Sequence, residues 1–257
     1  MQYIQYTTRE RIAYITLNRP EKRNALNHDV VRELQETFAL AENDEQVKVV
    51  ILRAVGDAFC AGADLAYLQQ LQHFSYEENR TDSQHLKKLF HQIYTLKKIV
   101  IAQVQGNALA GGCGLVNVCD FAFAIPDAKF GYTEVKIGFI PAIVMTFLIR
   151  KIGEAGARKL LLTGDLISAE QARELGLITA LFPTETIETE VSSFAQQLIL
   201  KNSAQAMSTT KQMMASIQEL NLTDALAYAV DQNAFARATT DCKRGIAAFL
   251  AKEKIVW

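Results

Sequence analysis

Two stretches limit what this chain can become. "VKVVILRA" (47–54) and "IVIAQV" (99–104) are almost unbroken apolar runs of strand length. Strands that apolar are stable only when covered on both faces, as in a parallel sheet flanked by helices. Each run passes into a glycine-rich loop, "VGDAFCAGADL" and "GNALAGGCGL", and each loop leads into a helical pattern. Strand and helix alternate in this way through the first ~180 residues, which predicts an α/β fold.

The flanking segments agree. Residues 2–8 and 12–17 read as strands joined at "TRER", and "NRPEKRNALN" as an irregular loop. Asn27 is placed to cap a helix over 28–42, whose Val30, Val31, Leu34 and Phe38 share one face. A short helix is expected near 64–71. The polar, aperiodic stretch 73–83 reads as a mobile loop, followed by a helix over 84–97. Beyond Pro183 there is no proline and only one glycine, Gly245. That tail predicts helices near 186–201, 203–219, 222–237 and 241–252. The organisation expected is a core over 1–185 and a helical region over 186–257.

Composition narrows the function. The net charge is −1 and no Lys/Arg run exceeds a pair, so neither nucleic acid nor a membrane surface is an expected partner. No apolar run approaches ~20 residues, and the first residues read as strands and not as a signal peptide. A cytoplasmic location is the expectation. Cys60, Cys113, Cys119 and Cys242 lack metal-site spacing and are expected to be small packing residues. His28, His73, His85 and His91 are scattered. No metal is expected.

The chemistry concentrates in "QGNALAGGCGLVNVCDFAFAIPDAKFGYTEVKIGFIPA" (105–142). Ligands of open α/β sheets bind beyond the carboxyl ends of strands, where both glycine-rich loops fall. A helix beginning at Gly111 leaves its first N–H groups free at the positive end of its dipole. One N–H from each loop, aimed at a common point, makes an oxyanion hole for an enolate or alkoxide. Tight packing turns are the plainer alternative. The loops match neither GK[ST] phosphate loops nor GxGxxG, and there is no GxSxG elbow. Glu134 is a carboxylate well placed for proton transfer. Asp120, at a strand start, is expected to orient backbone, and Cys113 to pack.

"DAFCAGADL", "GNALAGGCGLVNVCDFAFA", "AKFGYTEVKIGFIP" and "KLLLTGDLISAEQARELGLI", with "LNRPEKRNALN" before them, together resemble the enoyl-CoA hydratase/isomerase (crotonase) family over nearly the whole chain. The resemblance implies a spiral of ββα units, then helices that build trimers or dimers of trimers. It implies an acyl-CoA thioester as substrate, with no separate cofactor because coenzyme A is part of the substrate. It places the oxyanion hole on the N–H groups of Ala63 and Gly111, and the proton-transfer acid on Glu134. It makes Lys22, Arg23 and Ala25 candidate coenzyme A contacts, with Lys252 and Lys254 as weaker ones. Ala61, Asp64, Leu65, Gly112, Gly114, Tyr132 and Ala142 become candidates for lining the acyl site. Either the stretch 73–83 or the helix 84–97 is expected to shape the acyl pocket.

One departure is evident. Well-known hydratases of the family hold a water between two glutamates, and the first would stand at Gly114. A glycine there is expected to leave space for a water or a bulkier acyl branch. Members lacking that acid include double-bond isomerases, decarboxylases, and enzymes that hydrate 3-methylglutaconyl or dehydrate 3-hydroxy-3-methylglutaryl thioesters. "IPAIVMTFLIRK", in place of the usual IPGxGGT, looks most like the last group. The leading expectation is a hydro-lyase for a branched acyl-CoA. An isomerase, a decarboxylase and a non-catalytic CoA-binding protein are the alternatives.

Overall fold

A computed structural model describes all residues, 1–257. Strands β1 (Ile4–Arg9) and β2 (Ile12–Leu17) form an antiparallel hairpin. Its turn residues Glu10 and Arg11 adopt φ of 52° and 65°, the left-handed geometry that matches the twist of paired strands. Helix α1 (His28–Asn43) follows, with the Asn27 side chain accepting from the Val30 N–H as its spacing predicts. Val30, Val31, Leu34 and Phe38 are all buried.

The next segments repeat a pattern. Strands β3 (Val49–Ala54) and β4 (Ala58–Cys60) precede α2 (Leu65–Leu71) and α3 (Tyr76–Thr95). Strands β5 (Ile99–Val104) and β6 (Asn107–Leu109) precede α4 (Gly111–Val118). Strands β7 (Phe121–Ala124) and β8 (Lys129–Gly131) precede α5 (Ala142–Thr163). Each ββα unit gives one strand to each of two sheets. Strands β9 (Ile167–Ser168) and β10 (Ala180–Leu181), with α6 (Ala169–Glu174) between them, complete the sheets. The larger runs β1-β2-β3-β5-β7-β10 and the smaller β4-β6-β8-β9. The chain winds as a spiral with apolar side chains between its layers, and every residue of β5 is buried.

One expectation fails. Residues 76–83 are not a loop but the first two turns of α3. The Ser75 side chain accepts from the Glu78 N–H, and the Glu78 carboxylate accepts from the Ser75 N–H. This reciprocal pairing starts a helix even where the following residues are polar.

The tail is helical as expected: α7 (Ile187–Lys201), α8 (Ala204–Ile217), α9 (Leu222–Ala238) and α10 (Thr240–Ala251). Val191, Ala195 and Ile199 of α7 are buried in the main core, whereas α9 and α10 bury no residue within the chain. Leu226, Val230, Phe235 and Phe249 are exposed there. No helix is long and apolar enough to cross a membrane.

Helix α8 is fastened by a charge. Lys211 Nζ lies 2.7 Å from Asp120 Oδ2 and also donates to the carbonyls of Ile93 and Lys98. The other role of Asp120 is to accept from the Val100 N–H, the backbone-orienting part expected of it. Lys211 is only 7% exposed. Removing one partner of a buried pair leaves the other without compensation. Lys211→Ala is therefore expected to lower stability by about 2–3 kcal/mol, less than a fully buried pair because Asp120 keeps some solvent access. Urea denaturation measures this, and a midpoint equal to wild type would contradict it.

Candidate active site

Three loops meet at one end of the spiral. The first, 19–26, is organised by Asn24, which is buried although its neighbours Lys22 and Arg23 are exposed. Asn24 Oδ1 accepts from the Arg19 N–H, and Nδ2 donates to the carbonyls of Val55 and Ala58. Arg23 and Asn24 hold φ of 50° and 54°, and Arg23 O accepts from the Ala61 N–H. The sequence pattern did not single out Asn24. An asparagine at a left-handed turn position was the available signal.

The second loop, 61–64, pairs with the first through a parallel bridge between Leu26 and Ala63. Leu26 N–H donates to Gly62 O, and Leu26 O accepts from the Asp64 N–H, at 2.7 and 2.8 Å. In such a bridge the peptide groups of Leu26 bond to the residues on either side of Ala63. The N–H of Ala63 itself is turned to the opposite side, and Ala63 is exposed. Asp64 is buried and fully engaged. Its Oδ1 accepts from the Ala66 and Tyr67 N–H groups at the start of α2, and its Oδ2 pairs with Arg19 at 2.6 Å. Burial pushes the Asp64 pKa up, but the Arg19 guanidinium and the two N–H groups outweigh it and hold the carboxyl below its ordinary value. Asp64 thus positions the loop, while its neighbour Leu65 stands exposed.

The third loop is the start of α4. Gly111, Gly112 and Cys113 are its first residues, so their N–H groups have no acceptor within the helix. Ala110 enters the helix at φ 49°, ψ −122°, a strained conformation for a residue with a Cβ. The Ala110 N–H donates to Gly131 O at 2.8 Å, tying this turn to the strand that leads to Glu134.

Glycine lets the second and third loops touch. A Cβ on Gly112 would fall 2.3 Å from Cys60 O, and one on Gly62 would fall 2.8 Å from the Ala110 Cβ. Gly62 also holds φ +93°. A Cβ on Gly111 would meet a Leu26 methyl at 3.1 Å, which brings Gly111 beside the strand segment that Ala63 pairs with. The Ala63 and Gly111 N–H groups therefore belong to adjacent, mutually braced turns.

Glu134 begins a 3-10 turn, Glu134–Ile137, that closes on Gly138 in the left-handed conformation. Its carboxyl is half-buried, and Oε2 has no hydrogen-bond partner. Loss of solvation raises its pKa, and its own backbone N–H offsets this only in part. Strand β8 pairs in parallel with β6, Gly131 opposite Leu109, so the chain reaches Glu134 from a strand end that lies beside the turn starting α4.

Tyr132 does not line open space. It is wholly buried in the core, its hydroxyl lacks a hydrogen-bond partner, and burial raises its pKa well above the ordinary value. Burial likewise pushes the thiols of Cys60, Cys113 and Cys119 to about 12, which makes them packing residues. Ala142, the first residue of α5, is exposed, Ala61 is half-buried and Ala25 is buried. Lys252 and Lys254 lie by the C-terminus, whose Trp257 N–H returns to Leu200 O on α7.

Gly114 overturns an expectation. It leaves no space, because a Cβ there would fall 2.4 Å from Val144 Cγ1 and 3.1 Å from Phe90 Cζ. An apolar wall already occupies the place of a side chain at position 114. A groove of about 1210 Å³ lies instead at the far end of α4, between α5, α7, α8 and α10.

Comparison with known proteins fits this geometry. The family model described as enoyl-CoA hydratase/isomerase matches residues 7–257. The chain is 35% identical to a crotonyl-CoA hydratase of Syntrophomonas wolfei, covering 95% of this chain and 94% of that one. It is 34% identical to a 2,3-dehydroadipyl-CoA hydratase of Escherichia coli, with 98% and 97% covered. Among solved structures, an enoyl-CoA hydratase of Mycobacterium smegmatis superposes with a TM-score of 0.93 at 30% identity, covering 99% and 98% of the two chains.

The contact of Gly112 with Cys60 O yields a test. Alanine favours a helix over glycine by about 1 kcal/mol, but the overlap with a backbone carbonyl at 2.3 Å must push the two loops apart. Gly112→Ala is expected to keep the helical circular dichroism and to lose turnover roughly 100-fold, the scale of one misplaced oxyanion donor. Wild-type kcat/KM in this variant would contradict the arrangement.

Proposed function

Because this chain belongs to the enoyl-CoA hydratase/isomerase family, we propose that it adds water to, or removes it from, the β-carbon of an acyl-CoA thioester, with Glu134 as its only proton-transfer acid. One observation carries this reading: a lone, partly desolvated carboxyl beside two backbone N–H groups that no protein acceptor claims.

The steps balance with that set. In the dehydrating direction the Glu134 carboxylate takes a proton from C2. The electron pair moves toward the thioester oxygen, held by the N–H groups of Ala63 and Gly111. Collapse of this enolate forms the C2–C3 double bond and breaks the C3–O bond, and Glu134 returns its proton to the departing oxygen as water. Hydration is the reverse. Each turnover begins and ends with Glu134 ionised.

The acyl group we favour is branched at C3, of the 3-methylglutaconyl type. The "IPAIVM" start of α5 supports this, as does the apolar wall at Gly114. A tertiary C3 loses hydroxide with more carbocation character, so one acid suffices. The same carboxylate could carry a proton from C2 to C4, which is the isomerase alternative.

Mass spectrometry of products from 3-methylglutaconyl-CoA, crotonyl-CoA and a 3-enoyl-CoA separates these outcomes. Gain of one water on the branched thioester, lost at least 100-fold in Glu134→Gln, is the expected result. Unchanged mass with a moved double bond would make the protein an isomerase. Near wild-type turnover by Glu134→Gln would end the single-acid mechanism. The pH dependence follows from the raised pKa of Glu134. Activity needs its ionised form, so kcat/KM should rise with pH through one ionisation lying above the ordinary carboxylate range. The water-addition equilibrium consumes no proton, so both directions should share that profile.

A further inference from the structure

Helical side chains lean toward the N-terminal turn, so a residue at position 114 would reach over Gly111, where one proposed oxyanion donor lies. In this chain that space is taken by a side chain from another helix. Val144 Cγ1 lies 2.4 Å from where a Cβ at 114 would be, and Val144 Cβ lies at 3.3 Å. Val144 is the third residue of α5, and Ala142, the first, is exposed.

The wall is firmly backed. A valine in a helix has essentially one side-chain rotamer, so its methyl groups are fixed. Phe90 Cζ closes the other side at 3.1 Å and is fully buried. Phe90 packs edge-on against Phe147 at 6.5 Å, and Phe147 lies 5.1 Å from Tyr94. Phe90, itself packed on Phe147, thus leaves no room for a side chain at 114 on the face that Val144 does not fill. The side chain that stands over the first turn of α4 is thus hydrocarbon, 4% exposed, and cannot hydrogen-bond a water.

We propose that Val144, held by Phe90 against Gly114, is the residue that selects the acyl chain, by presenting an apolar wall that takes a β-alkyl substituent in place of a water. The proposal deepens the branched-thioester reading and rests on it for the orientation of the acyl chain. Gly114 and Val144 then form a size-matched pair: the glycine is required by the valine, and the valine supplies the surface.

Saturated thioesters test this without turnover. Binding of butyryl-CoA and 3-methylbutyryl-CoA is measured by calorimetry for wild type, Val144→Thr and Val144→Ala. One methyl group in an apolar pocket is worth roughly tenfold, so wild type is expected to favour the branched ligand by about that factor. Val144→Thr keeps the shape but puts a hydroxyl in the wall, and should erase most of the preference for the branched ligand. Val144→Ala opens the wall and should shift the preference toward 3-methylpentanoyl-CoA. Should the threonine variant not fold, the alanine variant alone decides.

Equal binding of both ligands by wild type, or an unchanged ratio in the folded variants, would overturn the role of Val144. The hydro-lyase reading fails separately, if no enoyl thioester gains water while the binding ratio behaves as expected. A gain of linear crotonyl-CoA hydration in Gly114→Glu/Val144→Ala, absent from Gly114→Glu alone, would support the pairing. The reverse order would count against it.

Discussion

Everything at the active end of this molecule depends on one close approach, that of the turn after β4 to the turn after β6. Gly112 lies against the carbonyl of Cys60 and Gly62 against Ala110, at separations that admit no Cβ. Parallel strands β4 and β6 bring the two turns side by side. The Leu26–Ala63 bridge then fixes which way the second turn faces, and the start of α4 fixes the third. Two N–H groups on adjacent turns are left without protein acceptors. Preorganised donors of this kind stabilise developing negative charge without reorganising at the moment of reaction.

The carboxyl of Glu134 is supplied by the 3-10 turn that follows β8, yet it is tied to the same place. The Ala110 N–H bonds to Gly131 O, three residues before the acid. Partial burial then does to Glu134 what a neighbouring carboxylate does in a two-acid site: it raises the pKa and makes the proton easier to hold and return. At Gly114 this chain replaces the second acid with hydrocarbon, because Val144 and Phe90 fill the space. The loss of an acid and the loss of room for a water are one structural change.

The sequence made much of this legible. Apolar runs announced β3 and β5, a glycine pair announced the free end of α4, and Asn27 announced α1. These signals are local, since each depends on burial or backbone freedom at its own position. The unread features are pairings across the chain. Residues 76–83 looked like a loop because they are polar, although the Ser75/Glu78 capping box was present in the sequence. Asn24 looked like any loop residue until its amide was seen joining its own loop to the connection between β3 and β4. Gly114 looked like empty space because what fills it, Val144, arrives from thirty residues on.

The central claim is that Ala63, Gly111 and Glu134 together make and discharge an enolate of a bound thioester. The most direct measurement is exchange of the C2 protons of 3-methylbutyryl-CoA in deuterated water, followed by mass spectrometry. This ligand can neither lose nor gain water, so only enolate formation is observed. Wild type should incorporate deuterium at C2 and Glu134→Gln should not, although it still binds the ligand. Absence of exchange in wild type with the ligand bound, or equal exchange in both proteins, would contradict the claim.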